Sequence, residues 1–158
     1  MKRILLYFPL LMLLAACSEP QAAAPVAKPT PARHFKVGET VDIGSTWKAT
    51  VHSVNTSKGS DVLIPSNAGD VFILIDVTLD NVSDKEQEPY GGLWTLRGPD
   101  GTAYSTIMSS NPPSGKVEAG TPARGTLGYE APESVKVFRL AFDDHAPSSN
   151  QTIWDLTV

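Results

Sequence analysis

The sequence predicts an all-β domain, an antiparallel sandwich of about seven to eight strands, and three observations carry that prediction. Apolar and polar residues alternate with period two through several short stretches, turn-forming residues separate those stretches, and no helical period of any length appears. A strand turns alternate side chains to opposite faces, so one apolar face per stretch is the pattern of sheets that share a core.

Trp47, Ala49 and Val51 oppose Lys48, Thr50 and His52. In the longest stretch Val71, Ile73, Ile75, Val77 and Leu79 form an unbroken apolar face, while Phe72, Leu74, Asp76, Thr78 and Asp80 turn polar toward the end. Such a strand starts centrally and emerges into solvent. Leu93–Arg97 and Ala103–Met108 follow, separated by Gly98-Pro99-Asp100-Gly101, where Asp100-Gly101 has the composition of a hairpin turn. Ala123, Leu127 and Tyr129 then oppose Arg124, Thr126 and Glu130. Val135–Phe142 places Phe138, Leu140 and Phe142 on one side, and Thr152–Val158 does the same with Trp154, Leu156 and Val158. Further turn signals stand at Lys58-Gly59, Asn67-Ala68-Gly69-Asp70, Asn111-Pro112-Pro113-Ser114-Gly115 and Ala119-Gly120. The general plan is immunoglobulin-like, with a closed barrel as the alternative.

The first 33 residues have a different character. Met1-Lys2-Arg3 is basic, Ile4–Ala16 is uncharged and largely apolar, and Leu14-Ala15-Ala16-Cys17 closes the run with small residues before a cysteine. This is the pattern of a signal peptide (residues 1–16) with a lipobox. Thirteen residues at the helical rise span roughly 20 Å, short of the ~30 Å hydrocarbon core, so the run is a poor permanent membrane span. The lipobox resembles that of bacterial lipoproteins, which implies that the Cys17 thiol receives diacylglycerol and becomes the mature amino terminus, itself acylated. Two or three acyl chains, such as palmitate, hold a small domain durably. Ser18 follows where aspartate would favour inner-membrane retention, so the resemblance implies the outer membrane, facing the periplasm of a Gram-negative host. Residues 17–33, rich in proline and alanine, form a linker that could extend ~50 Å as polyproline II. Residues 34–158 are then one domain.

Once Lys2 and Arg3 are removed, 11 basic and 17 acidic residues remain, a formal charge of −6. An acidic chain without a lysine and arginine cluster argues against nucleic acid as a partner. Cys17 is the only cysteine, so no disulfide supports the fold.

Phe35-Lys36-Val37-Gly38-Glu39-Thr40 leading into a strand, the strand Val71–Leu79 ending in Asp80-Asn81-Val82-Ser83-Asp84, Leu93–Tyr104 with Asp100-Gly101, and Glu118-Ala119-Gly120 before Gly125–Pro132 together resemble a bacterial domain family of unknown function. Its members are mostly secreted or lipid-anchored, and some carry the name telomeric repeat-binding factor, a label that an acidic, exported chain does not support. The family is similar in fold to the mycobacterial immunoprotective secreted antigen, an immunoglobulin-like sandwich. The resemblance supplies no catalytic residues. Tyr129-Glu130-Ala131-Pro132 departs from it, since the family more often places an apolar aromatic and a β-branched residue before the proline.

Candidate chemistry is sparse. Asp80, Asp84, Glu86 and Glu88, with Asn81, offer oxygen ligands, but no glycine supplies the sharp turn of a calcium loop and Lys85 sits among them. Asn81 can instead cap its strand end through its amide. Asp143-Asp144-His145 reads as a surface loop, because neighbours in sequence point in different directions. The motifs G-x-S-x-G, H-E-x-x-H and G-x-x-x-x-G-K are absent, and His34, His52 and His145 are widely spaced. Met108 alone among the methionines lies outside the signal peptide, too few soft ligands for copper. The expectation is no enzyme, no cofactor and no metal site.

Binding remains. Trp47, Trp94 and Trp154 with Tyr90, Tyr104 and Tyr129 could supply an aromatic patch, yet most are in phase with apolar neighbours and read as core. Tyr90, between Pro89 and Gly91-Gly92, is the candidate partner-binding residue. The long loops Asn55–Asp70, Val82–Gly92 and Ser109–Glu118 are candidate contact regions. The sequence reading is a lipid-anchored envelope protein, held in the membrane through Cys17, that presents a non-catalytic interaction domain to an envelope protein or glycan. The alternatives are a small-molecule or metal-binding periplasmic domain and a hydrolase with a spatially assembled site.

Overall fold

The computed structural model describes residues 32–60, 65, 67–89, 94–107, 110–142 and 152–158, which build two four-stranded sheets. In chain order the strands are β1 (Arg33–Lys36), β2 (Thr40–Ile43), β3 (Trp47–Ser57), β4 (Asp70–Asn81), β5 (Trp94–Arg97), β6 (Pro122–Pro132), β7 (Val137–Phe142) and β8 (Thr152–Thr157). One sheet runs β1-β8-β7-β5 and the other β2-β3-β4-β6. This is the predicted all-β sandwich. Among the described residues every pair of adjacent strands is antiparallel except β1 with β8, which run parallel with Arg33 opposite Thr152 and Lys36 opposite Asp155. Nearly the whole domain connects these two strands, so no hairpin forces them to oppose.

The alternation in β4 is realised as burial: Val71, Ile73, Ile75, Val77 and Leu79 all lie in the core. Across from them stand Leu96 of β5, Phe138, Leu140 and Phe142 of β7, and Trp154 and Leu156 of β8. Each fully buried side chain of this size contributes about 1.5–3 kcal/mol. The aromatic rings interlock: Trp94 lies 4.7 Å from Phe142 and 5.7 Å from Trp154, centroid to centroid, and Phe35 of β1 lies 6.2 Å from Trp154. Tyr129 joins the two sheets, its hydroxyl donating to the Trp94 carbonyl at 3.2 Å. Burial pushes that hydroxyl's pKa far above its ordinary value, so it remains a donor.

Two local features depart from the sequence pattern. The β3–β4 register shifts between Val51 and Ser53, leaving His52 as an extra residue in a bulge. Beyond it Val54 takes over the inward phase and packs against the core. The predicted strand over Ala103–Met108 is not formed. Its described part, Ala103–Ile107, makes only the isolated bridges Arg97 to Ala103 and Thr106 to Tyr129. The chain there leaves one sheet to reach the edge of the other, so it cannot keep one ladder.

The Asp100-Gly101 turn forms as expected. Gly101 adopts φ +87°, its N–H donates to Gly98 at 3.0 Å, and Asp100 accepts from both the amide and the hydroxyl of Thr102. Among the described residues, no helix is long and apolar enough to cross a membrane.

Candidate binding surface

The outer face of β2-β3-β4-β6 carries the polar half of each strand's alternation. Register places Asp76 of β4 between Ser53 of β3 and Thr126 of β6, and Thr78 opposite Arg124. Arg124 leans two residues along its strand, across the diagonal of the ladder, to meet Asp76. Its Nε donates to Oδ1 at 2.9 Å and its Nη2 to Oδ2, a two-pronged pair that matches the planar fork of guanidinium to carboxylate. These bonds hold the Asp76 carboxyl below the usual range against a smaller upward push from burial; the charge of Arg124 and then of His52 add to the lowering. The same bonds raise Arg124, which stays charged. Nη1 of Arg124 makes no hydrogen bond among the described residues. The bulge brings His52 beside Thr78, with Nε2 and Oγ1 2.8 Å apart.

An irregular wall stands beside this face. The backbone of Asn111 exchanges two hydrogen bonds with Thr126, both 2.8 Å, while Ile107 donates to Gly128 at 3.0 Å. Ser110 replaces a missing ladder bond, its hydroxyl accepting from the Gly128 amide at 3.1 Å. The edge of β6 is thereby covered rather than left open. Gly125 permits the close approach: a Cβ there would lie 2.6 Å from Pro113 N and 2.7 Å from Pro112 C, and would also collide with the Asn111 carbonyl.

Between the wall and β3 lies an open depression of about 610 Å³. It is lined by Leu74, Gly125, the Asp76–Arg124 pair, Ser53, Asn55, Asn111 and Thr126. A second depression of about 380 Å³ adjoins it, sharing Asn111 and Arg124 and reaching Ser114, Lys116 and Glu118. The arrangement can donate and accept many hydrogen bonds. Among the described residues lining the two depressions no hydroxyl is paired with a histidine; the His52–Thr78 contact lies outside their lining.

Of the loops singled out from sequence, Asn55–Asp70 contributes Asn55, which closes β3 with its neighbours rather than lying in a loop, and Ser109–Glu118 contributes Asn111 and residues of the second depression. The described single residues singled out do not line it. Cys17, Tyr90 and Asp143-Asp144-His145 lie outside the described residues. Trp47, Trp94, Trp154 and Tyr129 are buried in the core, so they form no exposed aromatic patch. Tyr104 is partly buried, edge-on to Phe138 at 5.7 Å. His34 pairs with Asp155 at 3.0 Å on the opposite sheet from His52. The carboxylate set around Asn81 does not converge: Asn81 is fully buried, its oxygen takes both protons offered by Ser83, and Glu86 pairs with Lys116 at 2.9 Å. Among the described residues no group of three His, Cys, Asp or Glu is placed to hold a metal ion. The Asp76–Arg124 pair escaped sequence reasoning because its members are 48 positions apart. The available signal was a pair of opposite charges on the polar phase of two strands.

Residues 35–153 match a family described as a domain of unknown function, DUF4352. The chain belongs to this family. Among curated proteins none matches it. Solved structures resemble this DUF4352 domain in fold. The yjhA protein of Bacillus subtilis superposes with a TM-score of 0.61 at 18% identity, covering 77% of this chain and 98% of that one. The secreted protein MPT63 of Mycobacterium tuberculosis gives 0.54 at 15% identity, covering 84% and 100%. The Bacillus subtilis protein ycdA, provisionally described as a lipoprotein, gives 0.60 at 11% identity over 73% of this chain. The DUF4352 chain spans only 38% of ycdA's length. These likenesses establish the β-sandwich and carry no residue roles.

Proposed function

We propose that this chain is a lipid-anchored cell-envelope protein whose DUF4352 domain is a non-catalytic interaction module. The observation that carries the reading is the succession of a basic start, an apolar run, Leu14-Ala15-Ala16-Cys17 and a proline-rich stretch that gives way to β1 at Arg33. A secreted neighbour and one provisionally described as a lipoprotein support an extracytoplasmic place. The residue after the lipidated cysteine, Ser18, favours the outer membrane. The depression over Asp76 and Arg124 is the contact surface in this reading, and it takes the place assigned from sequence to Tyr90. Cross-linking in living cells tests the proposal, with a photoreactive residue at position 55 and an unrelated anchored domain on the same linker as control. A reproducible envelope component captured by this domain alone is the expected result. Capture identical to the control overturns the reading.

A further inference from the structure

The ligand class can be read from the chemistry of the depression, an inference that rests on the proposed binding role. We infer that the outer face of β3-β4-β6 binds an uncharged, hydroxyl-rich chain, an oligosaccharide. Charge is the first argument. Among the described residues lining the depression the ionic groups are Asp76 and Arg124, which neutralise each other through two hydrogen bonds. In the adjoining depression Lys116 is paired with Glu86 and lies with the oppositely charged Glu118, so no net charge draws an ion in. Unused hydrogen-bonding capacity is the second. The side-chain amide of Asn111 and the hydroxyl of Thr126 make no hydrogen bond among the described residues. The Asn55 amide has one weak partner, Ser53 at 3.3 Å. With Nη1 of Arg124 they set donors and acceptors side by side, the arrangement that vicinal sugar hydroxyls match.

Shape is the third argument. The depression is open and joins its 380 Å³ neighbour at Asn111 and Arg124, giving an elongated track suited to a chain of several rings rather than a compact metabolite. Leu74, half-buried on the outer phase of β4, presents an apolar patch against which the C–H face of a sugar ring can rest. Gly125 fixes the wall, because any side chain there would push the 111–113 backbone away.

The test is a titration of the isotope-labelled full chain in detergent, followed by amide resonances, with chitotriose, cellotriose and maltotriose as neutral probes and trigalacturonate as the anionic one. At least one neutral trisaccharide is expected to shift the resonances of Asn55, Asn111 and Thr126 saturably, and the affinity should survive salt of about 0.5 M. Asn111→Ala, which removes a side chain with no hydrogen bond among the described residues, should weaken binding about tenfold, and Arg124→Gln at least as much. Response to trigalacturonate alone, or to none of the probes, overturns the sugar assignment. If the probes fail while position 55 still captures an envelope protein in cells, the ligand class is wrong and the interaction module stands. If both fail, both readings fall.

Discussion

The side-chain amide of Asn81, at the end of β4, donates to the Val117 carbonyl at 2.9 Å and to the Lys85 carbonyl at 2.7 Å while its oxygen receives the amide and hydroxyl of Ser83. One buried side chain thus holds together the loop that leaves β4 and the segment that enters β6. Its own backbone adds bonds with Thr121 and Gly120. Asn81→Ala would take one donor from each of two carbonyls, which keep the Ser83 hydroxyl and the Gln87 amide as partners, and would leave the Ser83 amide without its acceptor, so we expect a loss of about 1–3 kcal/mol. Urea unfolding should show a lower midpoint with an unchanged slope. Asn81→Asp should be no better, because a carboxylate would face two carbonyl oxygens.

Asp76 and Arg124 predict an acid-side dependence. The folded pKa of Asp76 lies below the unfolded value of about 3.9, so the carboxylate's stabilisation is complete above that value and is lost as pH falls through the folded pKa. A carbon-detected titration of the Asp76 carboxyl should give a midpoint below about 3.9. In Arg124→Gln the midpoint should rise and the acid-side loss attributable to this pair should shrink. An unchanged midpoint in the variant would show that Arg124 is not the cause.

Gly125 and Gly128 should differ when each is replaced by alanine. At Gly125 the new Cβ meets backbone of Asn111, Pro112 and Pro113, which cannot rotate away. At Gly128 it meets the Ile107 side chain, 2.7 Å from Cγ1, which can adopt another rotamer. We expect Gly125→Ala to cost about 1–3 kcal/mol and Gly128→Ala clearly less. Adding Ile107→Ala should relieve the Gly128 variant and leave the Gly125 variant unrelieved, measured by thermal unfolding of all four proteins.

Trp154 is fully buried, and its indole N–H has no hydrogen-bond partner among the described residues. Trp154→Phe removes that unsatisfied donor along with some packing against Phe35 and Trp94, so the two effects partly offset. Trp154→Ala, which empties the site, should cost about 3–5 kcal/mol, and the phenylalanine variant distinctly less. Denaturant midpoints of the pair check this.

Cys17→Ala should leave the precursor unlipidated and uncleaved in front of position 17. Metabolic labelling with a palmitate analogue and the gel mobility of the chain would show it. A variant of normal mature size that stays in the membrane would contradict the anchoring proposal.

The fold was legible wherever strand alternation runs unbroken. β4, β6, β7 and β8 bury the residues that period two assigns, including Ile75, Leu127, Leu140 and Leu156. Legibility failed at His52, where the bulge inverts the phase of β3, and at Arg33–Lys36 and Thr40–Ile43, strands of four residues that are too short to show a period. The segment after Tyr104 misled because a short apolar stretch reads alike whether it joins a ladder or crosses between sheet edges. The candidate site was less legible still. Asp76 and Arg124 each look like an ordinary solvent-facing residue, and only the β4–β6 register makes them a pair.

The parallel pairing of β1 with β8 gives the sandwich a defined mechanical axis. The chain enters the domain at Arg33, beside the first residue of β8, and Arg33 ties that entry to the other sheet through the Asp42 carbonyl at 3.0 Å. The β7–β8 and β5–β7 registers place Phe142 and Trp94 at this same end, and Val137 and Arg97 at the far end. If the chain is anchored as proposed, a load carried between its linker and the far end runs along β1, and its bonds to β8 resist in concert, as in shear, instead of peeling singly. A strand of only four residues thereby serves as the domain's mooring point.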